Sequence, residues 1–409
     1  MLEIVQVNTS ELQLGMYVSG LDRPWLEVPF PIQGFMLESP EDIVRIQKYC
    51  KHVFIDRAQS IVREAAKKQF SLTRPRKTNQ QIFETRKLKV YADSATWTEE
   101  FPKAKAAVEA LTETVDSIFS QVSHGGALDV VKVKKSVDPM IDSIARNPDA
   151  CIWLARMKQQ DTYTYQHSVG ASIWAVALGR QLGLPKPDLR SLAIGGLLFD
   201  IGKLKVNPEL LGAERLLTDE EFTELRSHVS LGVTMITDSG LMNRDVLDMV
   251  AHHHERHDGS GYPAGMSGDT IPVFARIAAI VDCYDAITSH RSYARGIPPA
   301  VAIKKLYEWR DVDFQAELIE EFIQAVGIYP AGTLVELSSG EIAVVVAEYR
   351  TRRLRPKVMV LLDANKQPTN DVKMLDLLTD KLTPDGKPLE ISNSLEPEAY
   401  GIDMTAIKL

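Results

Sequence analysis

The sequence predicts a mainly α-helical protein, with a small α+β domain at its N-terminus and a short β-rich segment at its C-terminus. Three observations carry that reading. From Pro102 onward, apolar residues recur at steps of three and four for over 200 residues, the spacing that lines one face of a helix. Residues 1–56 instead alternate short apolar pieces with turn residues, as strands do. After Tyr329-Pro330 the apolar period shortens again.

In the first domain, residues 1–56, strands are expected at Ile4-Val5-Gln6-Val7, Met16-Tyr17-Val18 and Val53-Phe54-Ile55, with a helix over Pro40–Tyr49. Residues 57–101 read as a basic linker. Arg57 to Lys89 hold ten basic residues against two acidic ones, with Pro75 among them, and such runs are usually solvated. Residues 102–147 read as connecting helices. Val108, Leu111, Val115, Ile118 and Val122 form one stripe, ended by Gly125-Gly126. Val130, Val133, Val137, Ile141 and Ile144 suggest a second helix, bent near Pro139. Residues 148–330 form the main helical domain, with helices expected over 165–182, 187–200, 218–239, 243–256, 272–289, 299–309 and 313–326. Thr218 and Glu221 have the spacing of a capping box. In the last segment, 331–409, strands are expected at Thr333–Leu337, Ile342–Val346 and Lys357–Leu362, the first two joined by a Ser-Ser-Gly turn.

Composition excludes several classes. The 409 residues are 44% hydrophobic and 25% charged, typical of a globular protein of two or three domains. A net charge of −8 argues against wrapping duplex nucleic acid. Cys50, Cys151 and Cys283 are too scattered for a disulfide framework or a thiolate zinc site. The N-terminus lacks a signal-peptide pattern. No apolar run approaches the ~20 residues of a membrane span, so a cytoplasmic location is expected.

Seven of the nine histidines fall between His167 and His290. They come with aspartates in five pieces: His167-Ser168, Asp200-Ile201-Gly202-Lys203, His228, His252 through Pro263, and Asp282 within an apolar stretch. Imidazole and carboxylate without thiolate suit a hydrolytic or oxidative Zn, Fe or Mn site. Each candidate is read as lying on the inward side of a helix. A lone Asp there is more often a satisfied core polar group; several such residues on successive helices are not.

These residues resemble the HD-GYP family of metal-dependent phosphohydrolases, which cleave cyclic dinucleotides, chiefly cyclic di-GMP. The resemblance covers about residues 148–330, most specifically His253-His254-Glu255-Arg256 with Asp258-Gly259-Ser260-Gly261-Tyr262-Pro263. Leu14-Gly15-Met16-Tyr17-Val18 and Val53-Phe54-Ile55-Asp56 are similar to the uncharacterised domain that often precedes it. The resemblance implies an all-helical HD-type metallohydrolase core. It implies two divalent transition metals, Fe or Mn first and Zn or Ni as alternatives. Asp200 would bridge them, with His228, His253 and His254 on one and His167 and Asp282 on the other. It places Lys203 at the scissile phosphate beside the catalytic Asp200, and Asp285 and Arg291 in the substrate pocket. By contrast, replacing Asp149, at the start of the helix before the site, by Asn is expected to change activity little.

Three positions depart from the family pattern. Phe199 stands where the paired His-Asp has its histidine, Tyr163 where some members carry a third-metal glutamate, and Ala294 where a basic residue is common. Two functions follow as expectations. The first is a phosphodiesterase that hydrolyses cyclic di-GMP, or a related cyclic dinucleotide, to pGpG or GMP in bacterial second-messenger signalling. The second is a degenerate domain that binds the dinucleotide, or a diguanylate-cyclase protein, without hydrolysis. Phe199 is the support for the second. A general nucleotide phosphohydrolase is disfavoured by the intact Gly-Tyr-Pro loop.

Overall fold

The computed structural model describes residues 4–21, 35–37, 39–56, 76–157, 163–211, 218–289, 296–350, 352–383, 385–396 and 398–402. These residues divide into two compact units. One runs to Arg76 and includes 218–222; the other takes Lys77–Leu211 and the chain from Thr223 onward.

The first unit contains strands β1 (Ile4–Asn8), β2 (Tyr17–Leu21) and β3 (Phe35–Met36), helix α1 (Pro40–Tyr49) and strand β4 (His52–Asp56). The sheet runs β1-β4-β2-β3, every pair antiparallel. A reciprocal capping box between Ser39 and Asp42 starts α1. Ile46 of α1 joins Val18, Leu37, Val53 and Ile55 in one buried cluster. Residues 57–75 of the basic linker lie outside the described residues.

The second unit opens with α2 (Asn79–Ile82), α3 (Trp97–Ser123), α4 (Val130–Ser136), α5 (Asp138–Arg146), α6 (Pro148–Arg156), α7 (Tyr163–Gln181), α8 (Lys186–Leu198) and α9 (Pro208–Leu211). α10 (Asp219–Arg226) begins in the first unit. α11 (His228–Asp238), α12 (Arg244–His252), α13 (Val273–Thr288), α14 (Pro299–Glu308) and α15 (Ala316–Val326) follow. Helices α7 and α8 form the centre. Ten residues of α8, from Asp188 to Leu198, are buried, as expected of a helix surrounded by others. The Ser172 hydroxyl of α7 donates to the Ala193 carbonyl of α8 at 2.9 Å.

Two expected helices are each two helices. The 130–144 stripe breaks at Val137, and Pro139 sits in the first turn of α5, where its missing N–H leaves nothing unsatisfied. The 218–239 helix breaks at Ser227. Conversely α3 starts five residues before Pro102, at a Thr96–Glu99 capping box, and carries the proline inside it.

Beyond α15 the chain forms β5 (Leu334–Leu337), β6 (Ile342–Ala347), β7 (Lys357–Leu362), β8 (Pro368–Asp376) and β9 (Ile391–Ser394). They make an antiparallel sheet of order β8-β7-β6-β5-β9. Val335, Leu337, Ala343, Val345, Val358 and Val360 build its core with Leu377 and Leu389. The fold is thus mainly helical with small sheets toward both ends, as the apolar periods predict. Among the described residues no helix is long and apolar enough to cross a membrane.

Candidate metal centre

Most of the site is assembled from helix ends rather than helix faces. α7 supplies His167 from its interior. α8 stops at Leu198, Phe199 caps it, and Asp200 opens a 3-10 turn over Ile201–Lys205 that carries Lys203. His228 is the first residue of α11, and His253 caps α12 with His254 next to it. α13 supplies Asp282 and Asp285 from one face, three residues apart. Gly202 lets the 3-10 turn lie against α11: a Cβ there would sit 1.8 Å from the His228 carbonyl oxygen.

These residues form two donor groups that share Asp200. One is Asp200, His228, His253 and His254; the other is His167, Asp200 and Asp282. In the first, Asp200 Oδ1 lies 3.5 Å from His228 Nε2 and 3.6 Å from His253 Nε2. His228 Nε2 is 3.4 Å from His253 Nε2 and 3.2 Å from His254 Nε2. In the second, His167 Nε2 is 3.1 Å from Asp282 Oδ1 and 3.5 Å from Asp200 Oδ2. Lys203 Nζ donates to Asp200 Oδ2 at 2.6 Å.

Backbone carbonyls set the histidine tautomers. His228 Nδ1 meets the Leu225 carbonyl at 2.7 Å, and His253 Nδ1 meets that of Val250 at 3.0 Å. Each Nδ1 therefore carries the proton, and each Nε2 presents a lone pair to the centre. Burial outweighs the attraction of Asp200 and lowers His228 to about 4. Burial and the neighbouring histidines hold His254 well below the usual imidazole range. Both are neutral at pH 7. Asp200 is held well below the carboxylate range, its burial overcome by Lys203 and the surrounding imidazoles.

Asp200 Oδ1 is buried without a hydrogen-bond partner. A buried unsatisfied carboxylate oxygen is costly, and here it faces nitrogens that carry lone pairs rather than hydrogens. A cation resolves that conflict, so the donor set fits a divalent transition metal.

The other sequence-derived candidates divide. Asp285, which the resemblance places in the substrate pocket, has a side chain that is 1% exposed. Its oxygens accept from His167 Nδ1 at 2.7 Å and Trp174 Nε1 at 2.9 Å. It sits behind His167, because a step of three along α13 turns Asp285 deeper into the core than Asp282. Arg291 and Ala294 lie outside the described residues, as does the side chain of Tyr163. Neither His252 nor His257 belongs to a donor group among the described residues. Phe199 is fully buried, stacked on His253 at 4.9 Å and edge-on to His167 at 5.7 Å.

Three further residues hold the site. Trp174 is seven positions after His167 on α7, a spacing that places both on one face. Glu255 accepts from the N–H groups of Ala264 and Met266 at 2.8 and 2.9 Å, closing the loop that carries Tyr262. Tyr262 stacks on His254 at 4.6 Å, and the Arg226 guanidinium lies 4.6 Å from the Tyr262 ring centre.

Comparison with known proteins identifies three domains in the chain. An HD domain model matches residues 140–318, a domain of unknown function matches 4–133, and a KOW domain associated with the HD domain matches 334–383. The cyclic di-GMP phosphodiesterase PA4108 of Pseudomonas aeruginosa is 35% identical over 375 residues, covering 91% of this chain and 88% of that protein. The chain belongs to the HD-GYP family. Other relatives match this HD-GYP chain over shorter stretches. The cyclic di-GMP phosphodiesterase response regulator RpfG of Xanthomonas campestris is 33% identical over 36% of this chain and 39% of its own. The 3'3'-cGAMP-specific phosphodiesterase 3 of Vibrio cholerae is 28% identical over 41% of this chain and 36% of its own.

Proposed function

We propose that the protein is a metal-dependent phosphodiesterase that hydrolyses cyclic di-GMP, or a closely related cyclic dinucleotide, to pGpG or GMP. The observation that carries this reading is the buried Asp200 carboxylate, shared by two donor groups and left with one oxygen facing imidazole lone pairs. The near full-length likeness to a cyclic di-GMP phosphodiesterase supports the substrate class.

Asp200, His228, His253 and His254 would hold one metal, and His167, Asp200 and Asp282 the other. Fe or Mn suits these hard and borderline donors, with Zn and Ni as further candidates. When bound, the metals supply an activated water and offset charge on the phosphoryl group. The residues of the chain do the rest. His228 and His254, already neutral, bring lone pairs without a proton to shed. Asp285 holds the His167 ring and fixes which nitrogen faces inward. Lys203, 29% exposed at the edge of the buried cluster, stabilises a non-bridging phosphate oxygen. Phe199 keeps water from the back of the site.

Phe199 also favours a second reading, in which cyclic dinucleotide is bound without turnover. The two separate in one experiment. Protein loaded anaerobically with Mn(II) or Fe(II) is incubated with cyclic di-GMP, and pGpG and GMP are quantified by chromatography. Release that depends on metal and vanishes in Asp200→Asn supports the enzyme. Saturable binding of cyclic di-GMP with no product at any metal concentration overturns hydrolysis in favour of the second reading.

A further inference from the structure

The second donor group has three ligands and one imidazole, His167, so its geometry depends on what stands behind that ring. Asp285 holds His167 Nδ1 and takes the Trp174 indole N–H on its other oxygen. The preceding residue, Tyr284, is fully buried. Its ring is edge-on to Trp174 of α7 at 5.1 Å and to Phe322 of α15 at 5.0 Å. Arg156 of α6 lies beside its hydroxyl. Helices α6, α7 and α15 thus form the wall against which α13 sets Asp285.

The chain leaving β6 grips all three helices. The Glu348 N–H and the Arg350 guanidinium both donate to Asp149, in the first turn of α6, at 3.1 and 2.7 Å. Asp149 is therefore a buried junction between α6 and the chain after β6. Arg350 also reaches Asp93 at 3.2 Å, which in turn receives Arg180 of α7 at 2.7 Å. Arg353 donates to the Gln324 carbonyl in the last turn of α15 and pairs with buried Glu348 at 2.5 Å. Gly327 ends α15 at φ 88°. A Cβ there would lie 2.0 Å from both Glu348 carboxylate oxygens, so only glycine admits this contact. Buried ion pairs add little net stability over apolar packing, yet lose much when one partner moves. A network of them is better suited to fixing a geometry than to holding a fold together.

We propose that Asp149, Glu348, Arg350 and Arg353 form a clasp through which the C-terminal sheet positions His167, by way of Tyr284, Trp174 and Asp285, and so sets the metal affinity of the three-donor group. This rests on the metal reading above. The four-donor group shares Asp200 with this one but depends less on the clasp, because carbonyls of Leu225, Met249 and Val250 orient its His228 and His253 rings locally. The clasp members are positioning residues and touch neither metal nor substrate.

The test is a calorimetric titration of the full chain with Mn(II), with the melting temperature followed alongside. The parent binds in a tight and a weak step. Trp174→Phe removes the N–H that Asp285 accepts, together with part of the buried ring packed on Tyr284, and weakens the second step about 10-fold. Arg350→Met and Arg353→Met, remote from the metals, weaken it about 3–10-fold, with Arg350→Lys recovering part of the loss. The tight step stays within about twofold in every variant. A weak step unchanged in the clasp variants overturns the clasp. So does a parallel loss in both steps with a collapsed melting temperature, which marks a merely structural role. If Arg350→Met does not fold, Arg350→Lys and Trp174→Phe decide by the same criterion. A parent that takes up no Mn(II) overturns the metal reading itself, and a parent with one step overturns the weak group.

Discussion

Phe199 is where the chain's chemistry is most exposed to test. Its ring lies between His253 and His167, one from each donor group, and closes a space that an imidazole would fill. We expect Phe199→His to raise metal occupancy of the three-donor group and to raise turnover. The rings are close enough in size that the swap should cost under ~1.5 kcal/mol. If the lining has repacked for binding alone, the new ring is an unsatisfied buried polar group costing about 1–3 kcal/mol. Metal stoichiometry, melting temperature and cyclic di-GMP hydrolysis measured side by side separate these outcomes. A destabilised protein with no gain in metal would remove Phe199 as the cause of a weak site. Asp200→Asn is the complementary change. Because Asp200 serves both groups, turnover should vanish and metal content should fall in both. Retention of two metals would show that the carboxylate is not shared. His and Asp on apolar stretches marked candidate donors in the sequence, but their pairing around Asp200 came from the resemblance to the HD-GYP family and not from spacing. The orientation of Asp285 was not legible, because a step of three on a helix does not say which of two carboxylates faces the core.

Helix ends, more than helix faces, build the centre, and this limits what periodicity could reveal. The apolar stripes mark α7, α8, α12 and α13, and Thr218 and Glu221 do form their reciprocal cap, with hydrogen bonds of 2.9 and 3.2 Å. The break at Ser227 carries neither glycine nor proline, so the stripe reads straight through it. Yet that break places His228 at the start of α11, facing Asp200. The contact depends on Gly202, whose missing side chain admits the His228 carbonyl. Gly202→Ala should push the 3-10 turn away from α11, destabilise the protein by about 1–3 kcal/mol, and weaken the tight Mn(II) step. Chemical denaturation paired with metal titration measures both. An alanine variant with parental metal affinity would mean that the four-donor group does not need this approach.

At the scale of the whole molecule, the fold class was legible because helix and strand periods differ, whereas the ionic clasp was not, since its members lie about 200 residues apart in sequence. The titration of the centre is likewise a property of the assembled core. Burial alone would lower the His167 pKa, but its hydrogen bonds to Asp200, Asp282 and Asp285 push it up to about 10. His228 moves the other way, to about 4. For His167, the folded protein holds a proton that the unfolded chain releases above about pH 6.5. That stabilisation is whole below 6.5 and is lost as pH rises through about 10. For His228, the unfolded chain takes up a proton below about 6.5 that the fold refuses, so stability also falls from 6.5 toward about 4. The metal-free protein should therefore melt highest near about pH 6.5. Metal at the three-donor group must displace the His167 proton, so its affinity should rise about tenfold per pH unit between about 7 and 9. Loaded protein then holds its melting temperature over the interval in which metal-free protein loses it, because the gain in affinity offsets the loss of the His167 contribution. Titrations at about pH 8 in two buffers of different ionisation enthalpy count the protons, and about one is expected for the weak step. A weak step that releases none, with an affinity flat in pH, would show that His167 is already neutral in the metal-free fold.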